Sequence, residues 1–425
     1  ISSSFLKTML ASLNPNHRWF GVDYLKSVIH AIARALHGHI KADLARAKKK
    51  LGGRWLGLQI DLWTDDHGVS HPFLAATWSD PNTCSRRCVV LASTAFPAAS
   101  HTDKNVKSWV KSVLSQFDLS LTDCVLFTAD GGERGFLANL GCPWLVCLCH
   151  NMQRCVVRAL GLETPDDHAN ETGANRWLRR IRDLFSFIKN SPKQLKLLVD
   201  VQKSAGNKLL RPVLDVVTRW WSTFSMVSRF LEINQDIVTL MNQNRNDYMM
   251  FSITPRDALT AARLVAVLQP AKDFVQLLEG VKYSTLNKAL PMLVAVQKVY
   301  TLATFEVPAD PTEETGGDDG DDGEGGDDGE GGFVEEHASE MGDFFPGVVR
   351  TMQRELQERF TLTPHEHTKQ QWSAEVPELF GLAAICDPEI RLQRYKDVTA
   401  AVFKQSEEHT WKPSTVNIIE HAWEA

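Results

Sequence analysis

The chain lacks any run of about 18 uncharged apolar residues, the length a membrane-spanning helix requires, so no membrane association is expected. It also lacks the basic and then apolar opening of a secretory signal. Cysteine is scarce. The eight thiols are Cys84, Cys88, Cys124, Cys142, Cys147, Cys149, Cys155 and Cys386. That number is too small for a disulfide-built scaffold in a chain of 425 residues, and it fits free thiols in a reducing compartment. Zinc spacing is missing too. Cys142, Cys147, Cys149 and His150 do not follow the paired Cys-x₂₋₄-Cys pattern of a structural site, and Cys84-x₃-Cys88 falls in a strand-like run. No internal repeat is visible. The chain begins at Ile1 rather than Met, as expected of a piece of a longer product.

Positive charge is in deficit as well, with 46 Lys and Arg against 52 Asp and Glu. One segment causes this. Residues 310–336 hold 13 acids and no Lys or Arg, which leaves 46 basic against 39 acidic residues elsewhere, or +7. The folded part is mildly basic and suits a polyanion partner. The Gly/Asp/Glu tract 309–336 has too few apolar residues to bury, so it is expected to be disordered.

Periodicity organises the rest. Leu25, Val28, Ile29, Ile32 and Leu36 mark a helix within residues 5–50, ending in Lys41, Arg46, Lys48, Lys49 and Lys50. Strand-like runs follow at 55–63, 71–79 and 86–96, close enough to be antiparallel hairpins. The spacing predicts a helix over 102–117, a strand from Cys124 to Asp130, a helix near 133–140, a strand from Trp144 and a helix from about 150. This βββ-α-β-α-β-α order is the layout of an RNase H-like fold. From about 176 the pattern is almost wholly helical, with Leu178, Ile181, Phe185 and Ile188 as one stripe. Helices are expected over 256–302, 340–360 and 376–404.

Two carboxylates end apolar runs: Asp61 in Trp55–Trp63 and Asp130 in Cys124–Asp130, followed by Gly131-Gly132. On neighbouring strands such a pair can share two metal ions about 3.5–4 Å apart, the arrangement used for in-line attack on phosphodiesters. Each is equally explained as a solvated or capping aspartate at a strand end.

Several short motifs, in order, resemble the hAT transposase superfamily. Asp61-Leu-Trp63-Thr64 resembles its Asp-x-Trp-Thr, and His101-Thr102 precedes the first core helix as in the family. Thr128-Ala-Asp130 resembles its Thr-x-Asp without the usual following Asn. Cys147-Leu-Cys-His150 matches its Cys-x-x-His, and Thr218-Arg219-Trp220 its Arg-Trp. Leu268-Gln-Pro270 through Leu286, and Ala384 to Pro388, resemble parts of its inserted helical domain. The resemblance spans roughly residues 15–400.

The resemblance implies an α/β fold, an RNase H-like core with a mixed five-stranded sheet interrupted by a large α-helical insertion domain. It divides the chain into an N-terminal helical segment 1–50, the core 51–232, the insertion 233–405 containing the acidic tract, and a truncated segment 406–425. It implies DNA cleavage and strand transfer with Mg²⁺ or Mn²⁺ held by Asp61 and Asp130. Cys147 and His150 would lie near that site, and His150, Arg219, Trp220, Lys48, Lys49 and Lys50 would contact DNA. Bland readings stand beside these: His150 as a packed residue at a helix start, Arg219 and Trp220 as local pairing and packing. The implied partner is transposon-end DNA, the location the nucleus, and the assembly a homo-oligomer. The family's third acid, a Glu after the insertion, has no counterpart in a recognisable context, since Glu407, Glu408, Glu420 and Glu424 match no motif. Its BED-type zinc finger and C-terminal dimerisation segment are likewise unmatched. The chain as given is therefore expected to be an inactive or incomplete enzyme. The competing class is a non-catalytic, transposon-derived nuclear factor that binds DNA or protein.

Overall fold

The computed structural model describes residues 22–65, 67–83, 85–96, 102–163, 172–216, 221–280, 285–309, 333–342, 344–360 and 372–385. The chain divides into two compact units, 1–144 and 145–425.

The first unit opens with helix α1 (Val22–Leu51), then strands β1 (Leu56–Thr64), β2 (Ser70–Ser79) and β3 (Arg86–Ser93), helix α2 (Asp103–Gln116), strand β4 (Cys124–Ala129) and the short helix α3 (Arg134–Ala138). Strand β5 (Trp144–Val146) begins at its last residue and completes a mixed five-stranded sheet of order β3-β2-β1-β4-β5. Pairing is antiparallel between β1 and β2 and between β2 and β3, and parallel between β1 and β4. The alternation read from the sequence is realised in β1, where Leu56, Leu58 and Ile60 are buried while Gln59 and Asp61 are exposed.

The tight hairpins have local causes. At the β1–β2 turn the Asp65 carboxylate accepts the N–H groups of His67 and Val69, both at 2.9 Å, and Gly68 takes φ +76°. At the β2–β3 turn Asp80 accepts the Asn82 N–H at 2.9 Å. Helix α2 starts at Thr102, whose hydroxyl accepts the Asn105 N–H, and it buries Val106, Trp109, Val110 and Val113 as its 3.6-residue spacing predicts.

The second unit is mostly helical, in mixed α/β company with one hairpin. Its helices are α4 (Leu148–Ala159), α5 (Gly173–Asn190), α6 (Pro192–Ser204), α7 (Ser222–Gln243), α8 (Arg245–Tyr248), α9 (Pro255–Leu278), α10 (Leu286–Leu302), α11 (Phe345–Phe360) and α12 (Val376–Ile385). The α5 stripe Leu178, Ile181, Phe185 and Ile188 is wholly buried. Ser191 caps α6 through the Gln194 N–H and Pro192 occupies its first turn, while Thr254 and Asp257 form a capping box at the start of α9. A buried carboxylate, Glu355, takes Arg158 at 3.0 Å and Arg359 at 2.9 Å. The boundary expected between 232 and 233 falls inside α7, one continuous helix. No helix among the described residues is long and apolar enough to cross a membrane.

One expectation needs correction. The acidic tract was expected to be disordered through residue 336, but strands β6 (Thr304–Pro308) and β7 (Phe333–His337) pair antiparallel from Thr304↔His337 to Pro308↔Phe333. The anchor is Glu336, which grips Arg263 of α9 with two bonds of 2.7 and 2.8 Å, and both side chains are largely buried. Composition gave no sign of this, because the decisive partner lies 73 residues away. Residues 310–332 lie outside the described residues, as do the expected helical residues 5–21 and 386–404.

Because Pro308 pairs with Phe333, the connection between them starts and ends one strand spacing apart. Replacing 311–330 with four Gly/Ser residues is expected to leave stability unchanged or raise it by about 1 kcal/mol, from the smaller loop-closure entropy. Glu336→Ala strands the Arg263 guanidinium and is expected to cost about 3 kcal/mol. Urea unfolding of the three proteins checks both outcomes.

Candidate active site on the sheet

The parallel register between β1 and β4 decides the site. It runs Leu56↔Cys124, then shifts by one residue and continues Gly57↔Leu126, Leu58↔Phe127 and Gln59↔Thr128. The ladder ends there; carried two residues further, that register would bring Asp61 level with Asp130, the residue after β4. Paired residues of a parallel ladder share a face, and neighbouring strands lie about 4.8 Å apart, so on the extended register both carboxylates would rise from one sheet face. Without the irregularity after Leu56, Asp61 would have stood opposite Ala129.

Each aspartate is held differently. Asp61 is exposed, opposite Phe73 of β2. Asp130 directly follows β4 and is half-buried, and its Oδ1 accepts the Gly132 N–H at 2.6 Å. A Cβ on Gly132 would meet that oxygen at 3.0 Å, so the glycine allows the chain to fold this tightly over the carboxylate. Both groups are hard oxygen donors, the chemistry that Mg²⁺ and Mn²⁺ prefer. Among the described residues no three His, Cys, Asp or Glu side chains converge as a metal-binding group.

Sequence reasoning noted Trp63 but missed the cluster around it. Trp63, half exposed, stacks on His71 with ring centroids 4.4 Å apart, and His71 Nε2 lies 2.9 Å from Asp65. The His71 hydrogen bond, with help from the Val69 N–H, holds the Asp65 carboxyl below its ordinary value. Residues 61 and 63 alternate onto one side of β1, so Asp61 is followed there by an indole, with the His71–Asp65 hydrogen bond next to it. The signal was available: a turn closing at Gly68 sets Trp63 opposite His71.

The basic residues divide. Lys48 is not a free cation. It donates to Asp123 at 2.9 Å and to the Asp118 carbonyl at 3.1 Å, and Lys41 meets the Asp118 carboxylate at 2.8 Å, so these lysines tie α1 to the strand region. Lys49 and Lys50 remain exposed, Lys50 bonded to Asn82, beside a cavity of about 310 Å³ that Arg46, Trp78 and Arg87 also line. Arg180 and Arg182, members of a second basic group, are also tied internally, to Asp257 and to Asp215.

Cys147 and His150 belong to the second unit. Cys147 is the N-cap of α4. A hydrogen bond from Cys149, and then His150, outweigh burial and hold its thiol down to about 4, while Cys149 is pushed well up. Burial and the Cys147 charge raise Glu279. Arg219 and Trp220 lie outside the described residues, but their frame is visible. Asp215, bound bidentately by Arg182 at 2.6 and 2.7 Å and by the Thr223 hydroxyl at 3.1 Å, stands before them. Trp221 follows them in the left-handed conformation, φ +59°.

Residues 147–265 match the family model of the ZBED1 RNase-like helical domain. This segment resembles a transposase-derived family. The match starts at Cys147, takes in the Cys-x-x-His and Arg-Trp motifs and ends within α9, and it leaves the sheet with Asp61 and Asp130 outside. No curated protein matches the chain.

The Lys48–Asp123 contact carries a pH signature. Burial opposes ionisation of Asp123, but Lys48 and the Ser120 N–H prevail and hold its carboxyl below the ordinary value. Its stabilising effect is therefore complete above the unfolded carboxyl value, about 3.9, and fades as pH falls through the folded one. Lys48→Ala is expected to cost about 1–2 kcal/mol at pH 7. That difference from wild type should shrink below about pH 4, as urea titrations at the two pH values would show.

Proposed function

We propose that the protein is a hAT-like DNA transposase or a descendant of one, with an RNase H-like sheet whose Asp61 and Asp130 form a metal-dependent centre for cutting and joining DNA strands. The observation that carries this reading is the parallel pairing of β1 with β4 through Gln59↔Thr128, two residues before Asp61 and Asp130. The similarity of residues 147–265 to a transposase-derived helical domain supports it independently.

In this reading Asp61 and Asp130 would hold Mg²⁺ or Mn²⁺, and the chemistry it would supply is charge neutralisation at the scissile phosphate and a more acidic attacking water or 3′-hydroxyl. Asp61, on a strand paired on both sides, gives a rigid oxygen donor. Asp130 is oriented by the Gly132 N–H. The half-exposed Trp63 beside them gives a stacking surface for an unpaired base, worth about 1–3 kcal/mol. Lys49, Lys50, Arg46 and Arg87 bind backbone phosphates, while Lys48 does not, being committed to Asp123. His150, Arg219 and Trp220 contact DNA, with Cys147 as neighbour to His150, and the protein acts in the nucleus.

A second reading, a non-catalytic DNA- or protein-binding factor descended from such an enzyme, draws on the two-carboxylate composition of the site among the described residues. Two carboxylates bind Mg²⁺ less firmly than three, because octahedral geometry is left to water.

Two measurements test these readings. Mn²⁺ binding followed by electron paramagnetic resonance is expected to weaken at least tenfold in Asp61→Asn and in Asp130→Asn, and slow Mn²⁺-dependent nicking of supercoiled DNA should vanish in both. Metal binding without nicking in the wild type selects the non-catalytic reading, and wild-type metal affinity in both variants removes the centre. Binding to random-sequence DNA should fall steeply with salt, and Lys49→Glu with Lys50→Glu should reduce the slope of log K against log[salt] by about 2. The same reduction from Lys48→Ala alone would contradict its structural assignment.

A further inference from the structure

The cavity of about 310 Å³ lies on the sheet face opposite Asp61. Trp78, which lines it, stands on the face of Leu74 and Ala76, the partners of Ile60 and Leu58. Asp61 pairs with Phe73 and belongs to the other face. The walls come from two elements. Asp43, Arg46 and Lys50 are spaced by three and four residues and share one side of α1, with Lys49 beside them. The hairpin supplies Trp78, its cross-strand partner Arg87, and Asp80, Pro81 and Asn82 at the turn.

The cations are held in place by neighbours. Asp80 fixes the turn by accepting the N–H groups of Asn82 at 2.9 Å and Thr83 at 3.3 Å, and its other oxygen takes Arg87 at 3.3 Å. Asp43 takes Arg46, and Lys50 reaches from the helix to Asn82 on the turn. Each carboxylate engages one terminal nitrogen of its arginine. The remaining N–H groups of two oriented five-donor forks are left for an anion. Arg46, Lys49, Lys50 and Arg87 against Asp43 and Asp80 leave the cavity a net charge of +2.

Size and charge together select a ligand. The volume is at the small end of ligand sites, so it admits one nucleotide and excludes a duplex. Trp78 and Pro81 add an apolar wall to the cationic one. An internal phosphodiester carries a single negative charge, whereas a phosphomonoester carries about −1.5 to −2 at pH 7 and offers three acceptor oxygens. The second matches the cavity. We infer that this cavity binds a nucleotide through its terminal phosphomonoester, with the nucleoside against Trp78 and Pro81. That chemistry belongs both to the phosphorylated end of a DNA strand and to a free mononucleotide. The inference rests on the nucleic-acid reading of the protein and needs no metal at Asp61.

Fluorescence anisotropy of the 425-residue chain with short single strands, labelled at the 3′ end and bearing a 5′-phosphate or a 5′-hydroxyl, tests it. The phosphorylated strand should bind about tenfold tighter, the effect of one added charge-assisted contact. Arg46→Gln and Arg87→Gln should each cut that preference to about twofold at an unchanged melting temperature, since both side chains are more than half exposed. Lys104→Gln on α2 should keep it. Thymidine 5′-monophosphate should displace the phosphorylated strand and thymidine should not. Displacement by the mononucleotide as tight as by an unlabelled phosphorylated strand assigns the site to free nucleotide, and much weaker displacement assigns it to a strand end. Equal binding of the two strands overturns the inference and leaves the nucleic-acid reading standing. Binding of neither strand removes that reading and the inference with it. A preference that survives both glutamine variants overturns the placement in this cavity, and stronger displacement by phenyl phosphate than by the mononucleotide overturns the assignment to a nucleotide.

Discussion

The parallel pairing of β1 with β4 is the constraint on which the sheet and its site depend. The two strands are separated by two hairpin-connected strands and a helix, so this ladder closes a long loop and sets much of the entropy that the core must offset. Its reward is the burial of Leu58, Ile60, Phe127 and Ala129. Side chains alternate with period two, so fixing those residues inside fixes Gln59, Asp61, Thr128 and Asp130 on the other face. A slip of one residue in β1 would bury Asp61 and expose Ile60. The irregularity after Leu56 is the finer control. It changes which residue the register would bring level with Asp61, a carboxylate in place of a methyl group.

Charge was easier to count than to assign. The surplus of basic residues outside the acidic tract suits a polyanion partner, yet much of it is spent inside the fold. Lys48 serves Asp123, Arg182 serves Asp215, Arg158 and Arg359 serve Glu355, and Arg263 serves Glu336. In each case a carboxylate that is nearly or wholly shielded from water needs a cation, because an unpaired buried charge costs several kcal/mol. What is left for a nucleic acid is a smaller group, of which Lys49 and Lys50 are the clearest, since Arg46 and Arg87 at the same cavity pair with Asp43 and Asp80. The acidic tract is divided in the same way, with Glu336 part of the folded hairpin.

The elements whose signal is local were legible in the sequence. The β1 alternation, the α2 cap at Thr102, the α5 stripe and the strand-helix order of the first unit all follow from periods of 2 and 3.6 and from capping chemistry within a few residues. The β6–β7 hairpin was not legible, because Phe333–His337 borders a Gly/Asp/Glu tract and its strand character comes from pairing with Thr304–Pro308 and from Arg263. The apolar spacing in α1 marked a helix, but periodicity reports that a helix has an apolar side and not whether anything lies against it.

For the candidate site the division is similar. The sequence by itself determined that Asp61 and Asp130 end apolar strands, that each sits on the face opposite its buried neighbours, and that the motifs around them and in 147–220 resemble those of transposases. Only the tertiary structure decided that the two strands are adjacent, parallel and shifted by one residue, the register that would bring the carboxylates level. It alone linked Trp63, His71 and Asp65 and committed Lys48 to Asp123. The reason is physical: periodicity and capping act within one or two turns of chain, whereas register, ion-pair choice and exposure are set by which distant residues share a core.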